Sequence, residues 1–273
     1  MRIHHLNCAT MHPVAAHEMV THCLLVETES GLVLVDAGYG TDDIDRTRER
    51  LGSLLPRVLR PSLLRSETAI EQVRKLGVDP QDVRNVILTH LDVDHVGGVS
   101  DFPWARMHLT RDELQGAFEA STTRERGRFG GIGWARELDY AAYHPKGDSW
   151  FGFPCVCELE GLPTDLRLVS LPGHTRGHSG VAMRFGEGWL LHCGDAYFHH
   201  AEMRVDPSRP WALALFQRFA VVDDATRLRT QEELRRLVQK HGDEVQVFCS
   251  HDRSEYEAAR DREGEGEGDR EAD

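Results

Sequence analysis

The chain reads as an α/β protein. Three observations point there: short apolar runs recur along it, segments of helical period separate them, and this order of strands followed by helices occurs twice. At 273 residues and 40% hydrophobic content the chain can fill a packed core, and its length alone permits one domain or two. Candidate ligands from both ends of the chain must meet, which favours one domain over residues 1–259.

The elements follow in order. Residues 23–28 and 32–36 are apolar runs separated by Ser30-Gly31, which predicts a hairpin. Residues 68–76 place Ala69, Ile70, Val73 and Leu76 on one helical face, with Gly77 as the stop. Before them, residues 46–65 mix Arg with Leu around Pro56 and Pro61, and read as a broken surface helix or as a cover over the site edge. Residues 83–89 form a buried strand, after which Gly97-Gly98 is expected to let the backbone turn tightly into the next helix. Met107-His108-Leu109 is another short strand. Residues 111–153 gather aromatics, among them Phe118, Phe129, Trp134, Trp150 and Phe153, and serve either as pocket walls or as the packing of an inserted helical pair. Residues 166–171, 181–185 and 189–192 read as strands. In 211–222, Trp211, Leu215, Phe216 and Phe219 fall in roughly helical register. Residues 226–241 form a helix closed by Gly242, with Leu228, Leu234, Leu237 and Val238 as its buried stripe, and 244–249 is the last strand.

Composition limits the partners. Thirty-two Lys and Arg against forty-five Asp and Glu give a net charge of −13, which repels polyphosphate and argues against nucleic acid. No apolar run approaches the ~20 residues of a membrane span, and the start lacks the apolar segment of a signal peptide, so the expectation is a cytoplasmic protein without a membrane. Residues 260–273 carry seven acids and three Arg, with Gly and Glu alternating over 264–268, and are expected to be a disordered acidic tail. The six cysteines read as thiols. Cys155 and Cys157 share a strand face and could bind metal, but no second Cys pair completes a thiolate site, so packing is preferred.

The chemistry concentrates in His90-Leu91-Asp92-Val93-Asp94-His95. Two imidazoles and two carboxylates occupy six positions directly after the apolar run Val86-Ile87-Leu88. A core would not tolerate such charges unpaired, and the spacing suits metal ligation. His174, Asp195 and His251 each follow a short apolar run in the same way, making a set large enough for two ions.

This set resembles the metallo-β-lactamase superfamily of dinuclear hydrolases, whose signature is H-x-H-x-D-H, then a lone His, a bridging Asp and a last His, each at a strand end. Here the first block is H-x-D-x-D-H, with Asp92 where a second histidine is usual. Val35-Asp36-Ala37-Gly38 is similar to the family's early VDAG element, so the resemblance runs from Cys23 to Asp252. It implies an αββα sandwich of two mixed β-sheets flanked by helices. By resemblance, His90, Asp92 and His174 hold a first divalent ion, Asp94, His95 and His251 a second, and Asp195 bridges them. Asp36 is implied to hold a loop or orient a ligand imidazole, and His178 to support its loop. His192 either orients a carboxylate or ends a strand. The histidines at 4, 5, 12, 17 and 22 are assigned to no metal.

A hydroxide held between two such ions is a nucleophile at neutral pH. Asp94 and Tyr197 are the catalytic candidates; Tyr197 lies one position nearer the bridging Asp than the tyrosine of lactone-cleaving relatives. Asp92 cancels one unit of the site's positive charge and offers a hard oxygen, which moves preference from zinc toward iron or manganese. Zinc is still expected first; alternatively Asp92 points away and one metal binds tightly.

The expected function is metal-dependent hydrolysis of a carboxylic ester, a lactone before others, in a small-molecule acyl substrate. A hydroxyacylglutathione-type thioesterase is the nearest alternative. A persulfide dioxygenase-like oxidoreductase with one iron on His90, His174 and Asp195 is the redox alternative, against which the retention of Asp94, His95 and His251 argues. The sequence is compatible with a homodimer and does not require one.

Overall fold

The computed structural model describes residues 1–14 and 17–268, with side chains up to residue 263. Two six-stranded mixed sheets face each other. The first has the order β1 (Arg2–Met11), β2 (Met19–Thr28), β3 (Gly31–Val35), β4 (Val83–Ile87), β5 (Arg106–Thr110) and β6 (Tyr140–Tyr143). Its first three strands pair antiparallel and the remainder parallel. The second sheet comprises β7 (Asp148–Trp150), β8 (Phe153–Val156), β9 (Leu166–Ser170), β10 (Ser179–Phe185), β11 (Gly188–His192) and β12 (Val245–Phe248), antiparallel except for the β11–β12 pair.

Strand alternation builds three packed layers. Leu24, Val26, Val33, Val35 and Ile87 point inward and meet Leu168, Val181, Met183 and Phe248 of the other sheet. The opposite faces of the same strands, through Cys23, Leu25, Leu34 and Val86, pack on Ala69, Ile70 and Val73 of the helix Ala69–Lys75. Outside the second sheet, Leu234 and Leu237 of the helix Asp224–His241 cover Val169, Ala182 and Leu191. Burial on both faces explains why these strands read as continuous apolar runs. The αββα sandwich implied by the resemblance is the fold observed.

Several local expectations change. Gly97 and Gly98 form no tight turn: they open a 3₁₀ helix, Gly97–Asp101. They are needed for close approach, since a Cβ on Gly98 would stand 2.2 Å from the Ala37 carbonyl oxygen. Residues 46–65 form the expected broken surface helix and not a free cover: two short helices in a mostly exposed segment. The short helices Thr47–Arg50 and Leu55–Leu59 are tied to β1 and its outgoing turn through His12 N–H to Leu59 O and Ser62 N–H to Thr10 O.

The expected acidic tail needs correction from residue 260. The helix Arg253–Gly268 runs through it, seated by buried Tyr256 and Ala259, and Glu263 accepts from His4 Nδ1 and the His5 N–H. Tertiary hydrogen bonds to β1 outweigh the low helix propensity of its Gly-Glu run. The last five residues of the expected tail, 269–273, lie outside the described residues. Among the described residues no helix is long and apolar enough to cross a membrane.

Candidate metal centre

Strand ends from both sheets meet at one edge of the sandwich. β3 runs into Asp36, β4 into His90, β11 into Asp195 and β12 into His251, while the loop between β9 and β10 supplies His174. The helix Val93–Val96 puts Asp94 and His95 beside them. All seven ligand candidates are thereby gathered, six of them buried and Asp92 partly so.

Asp195 is the meeting point. Its Oδ2 lies 3.2 Å from His174 Nε2, 3.1 Å from His251 Nε2 and 3.9 Å from His90 Nε2, and its Oδ1 lies 3.2 Å from His95 Nε2. The side chains fall into two groups that could each hold an ion: His90, Asp92, His174 and Asp195, and Asp94, His95 and His251. Asp195 borders both, which is where a bridging carboxylate must stand. His90 Nε2, His95 Nε2 and Asp195 Oδ1 are buried with no hydrogen-bond partner among the described residues. Such atoms are costly unless something else satisfies them, and an imidazole–carboxylate set suits a divalent zinc, iron or manganese ion. The residues fit the cations the resemblance implies.

The imidazoles are aimed from behind. Asp36, in the left-handed region at φ 56°, turns its carboxylate back under the site. It accepts from His95 Nδ1 at 2.8 Å and from the Thr89 N–H and hydroxyl at 2.8 and 2.7 Å. The Thr89 oxygen in turn accepts from His90 Nδ1 at 2.9 Å. One carboxylate therefore orients two imidazoles, which sharpens the expected supporting role of Asp36. His251 Nδ1 donates to Val20 O at 2.7 Å. His178 Nδ1 donates to Leu171 O and its Nε2 accepts the Asp195 N–H at 2.8 Å, so it fixes the backbone of Asp195. His192 likewise ends its strand, donating to His22 O and accepting from Gly194 N–H.

Charge shifts follow the same contacts. Burial favours the neutral form of Asp195, but His251, His95 and His174 outweigh it and hold the carboxyl well below its usual range. Burial lowers His95 and His251, yet Asp195 and neighbouring carboxylates raise both above the ordinary imidazole value. His174 goes the other way, to about 3, through burial and the nearby Arg128 guanidinium.

Sequence reasoning missed two residues. Glu113, buried in the helix Arg111–Phe118, accepts from Leu91 N–H, Thr175 Oγ1 and Gly177 N–H, and so ties the His90 loop to the His174 loop. Arg128, from the helix Thr123–Phe129, forks onto both oxygens of Asp92. Asp92 does not point away: its Oδ2 lies 3.0 Å from His174 Nε2 and 3.3 Å from His90 Nε2. Arg128 returns the unit of positive charge that Asp92 removes. Thr122 and Glu125, which form a capping box, were a readable signal for that helix.

Tyr197 must be withdrawn as a catalytic candidate. It is fully buried in the core outside the second sheet, and its hydroxyl lies 3.0 Å from Glu255 Oε1. The backbone after Asp195 turns this side chain into the packing under helix Asp224–His241 and presents Phe198 to the site side instead, 5.0 Å from the His251 ring. The aromatics of 111–153 are packing residues, Phe129 on the first sheet and Trp150 and Phe153 on the second. Cys155 and Cys157 lie 3.2 Å apart, sulfur to sulfur, and join none of the candidate metal groups.

A third group, His199, His200 and Asp252, is already engaged: Asp252 accepts from His200 and Ser254, and His199 Nδ1 from Ala201 N–H. A cavity of about 150 Å³ lined by Met19, Phe198, Leu213, Arg253 and others opens on His251. A larger concavity, about 690 Å³ between β1 and the terminal helix, contains none of the seven ligand candidates, so size does not mark the site.

This geometry agrees with comparison to known proteins. The chain belongs to the metallo-β-lactamase superfamily, whose sequence model matches residues 18–251, and it is a metallo-hydrolase of that superfamily. A probable metallo-hydrolase of Mycobacterium tuberculosis is 38% identical over 262 residues, covering 96% of this chain and 83% of the relative. An N-acyl homoserine lactonase, AttM, of Azorhizobium caulinodans is 27% identical over 245 residues, 87% of this chain and 84% of its own. Among solved structures, an N-acyl homoserine lactone hydrolase with N-hexanoyl-L-homoserine at its catalytic metal center superposes with TM-score 0.69 at 19% identity, over 94% of this chain and 95% of that one.

Proposed function

We propose that this metallo-hydrolase opens a carboxylic ester, a lactone before open-chain esters, in a small acyl substrate. The observation that carries the reading is the convergence of four imidazole Nε2 atoms and three carboxylates at the joined edges of the two sheets. The AttM relatives, named as lactonases, support the choice of a cyclic ester. Zinc is the first choice of metal and iron or manganese the alternatives, as the mixed nitrogen and oxygen donors allow.

Divalent cations held by these side chains would polarise the ester carbonyl and bring the pKa of a water toward neutrality. The chain's own part is positioning and proton handling. Asp36 and Val20 O keep Nδ1 of His95 and His251 protonated, so each presents Nε2 toward Asp195. Asp94 is buried beside the second group, its Oδ2 3.7 Å from His251 Nε2 and 3.9 Å from His95 Nε2. It is the group proposed to take the proton of the attacking water and return it to the leaving alkoxide oxygen. Phe198 and Leu213 give the adjoining cavity an apolar wall suited to an acyl chain.

The test is elemental analysis of protein purified without added metal, then a panel of lactones, thioesters and phosphodiesters before and after chelation. Lactone opening that is lost on chelation and restored by zinc is expected. Preferential thioester cleavage would move the substrate class, and oxygen consumption with a persulfide would replace hydrolysis by redox chemistry.

A further inference from the structure

The two ligand groups differ in one respect that their composition does not show: a cationic side chain already reaches into one of them. Arg128 Nε donates to Asp92 Oδ1 at 2.5 Å, and its Nη2 reaches both Asp92 Oδ2 and His174 Nε2. Its remaining arm, Nη1, donates to Ala220 O at the end of the helix Trp211–Ala220, a helix C-terminus that favours a cation. One turn earlier Arg124 donates to the Arg218 and Phe219 carbonyls of that same helix end. The arginine helix is itself pinned to the His174 loop, because Arg176 donates to Glu125 Oε1 at 2.9 Å. The guanidinium is held from three sides.

An unprotonated imidazole nitrogen has a single lone pair. His174 Nε2 therefore cannot accept from Arg128 and bind a cation at the same time. Asp92 is less restricted, since a carboxylate oxygen can serve two partners, but a guanidinium and a divalent ion within one such group repel each other. By contrast, no arginine or lysine touches Asp94, His95 or His251 among the hydrogen bonds and ion pairs of the described residues.

We propose that Arg128 sets the order and relative strength with which the two groups take up divalent cations. Asp94, His95 and His251, bordered by Asp195, fill first. His90, Asp92 and His174 fill only when Arg128 gives up His174. This inference rests on the reading that both groups hold cations, and adds to it a specificity-determining residue that lies outside the ligand set.

The experiment is a stepwise titration of chelator-treated full-length protein with Zn²⁺ alone, followed by competition with a chromophoric chelator. Wild type is expected to take up zinc in two steps, the second weaker by about tenfold or more. Arg128→Gln, which loses the charge, is expected to tighten the weak step by about tenfold and leave the strong step within about threefold. His174→Ala should remove the weak step alone, and His251→Ala the strong one. These two assignments, together with the wild-type titration, decide the matter even if Arg128→Gln does not fold. Two equal steps in wild type, a weak step that Arg128→Gln leaves unchanged or loosens, or loss of the strong step in His174→Ala would each overturn the proposal. Absence of any zinc uptake by wild type would sink the metal reading together with it, an outcome distinct from the other three.

Discussion

His95 and His251 stand on groups that belong to the rigid frame: His95 leans on Asp36 beneath β3, and His251 on the carbonyl of Val20 in β2. The other half of the site stands on side chains that must first settle their own charges. His90 is held through the Thr89 hydroxyl, Asp92 by Arg128, and His174 has a buried Nδ1 with no partner among the described residues. A ligand set can therefore be complete by residue type and unequal by support. Imidazoles fixed by a carboxylate or carbonyl behind them are ready for a cation, whereas one that already accepts from a guanidinium must be released.

The largest test removes what the halves share. Asp195→Ala deprives both groups of their common carboxylate and is expected to lower kcat/KM by about 10³-fold or more, with loss of bound metal by elemental analysis. Asp36→Asn comes next, because it frees His95 directly and His90 through Thr89. Zinc affinity should fall by about 10- to 100-fold, and Thr89→Val, which touches only the His90 relay among the ligands, should cost less. Equal losses in these two variants would erase the asymmetry between the halves.

Asp92→His puts the superfamily's usual residue into this chain, yet leaves Arg128 facing an imidazole. It should destabilise the protein by about 2 kcal/mol in urea unfolding, and adding Arg128→Leu should recover much of that loss. Simple additivity would show that the pair is not coupled.

Two smaller effects bound the site from outside. Burial lifts Glu255 from 4.5 to about 8, so the stability gained by keeping it protonated is complete below about 4.5 and is lost as pH rises to about 8. Glu255→Gln should flatten that decline relative to wild type by about 1 kcal/mol or more, read from unfolding at both ends of the window. Tyr197→Phe removes only the hydroxyl that faces Glu255. Activity should stay within about twofold and stability fall by about 1 kcal/mol; a large loss of kcat would return Tyr197 to the reaction.

His90, His174, Asp195 and His251 were legible because each follows a strand end through a glycine or small residue, and Asp92, Asp94 and His95 because they crowd beside His90; such patterns are local. β2, β3, β4 and β9 to β12 were legible for the same reason, being apolar on both faces. β1 was not. Its run Ile3-His4-His5-Leu6-Asn7 looks polar at an edge, and its histidines find partners far away, in Glu27, His22 and Glu263. The strands β6 and β7 were hidden in an aromatic stretch that also suited a helical pair, and β8 showed only through Cys155 and Cys157. Arg128 and Tyr197 show the limit most clearly. Which neighbour a long or aromatic side chain reaches depends on how helices settle on a sheet, and no spacing in the chain records it.

The division of labour between the sheets has a consequence for how the chain can be cut. Every strand of the first sheet precedes residue 144 and every strand of the second follows residue 147. His90 to His95 belong to the leading piece, and His174, Asp195 and His251 to the trailing one. Severed in that short connection, neither fragment would own a working centre, and turnover would reappear only where the two re-associate, which makes the reaction itself a reporter of their reunion.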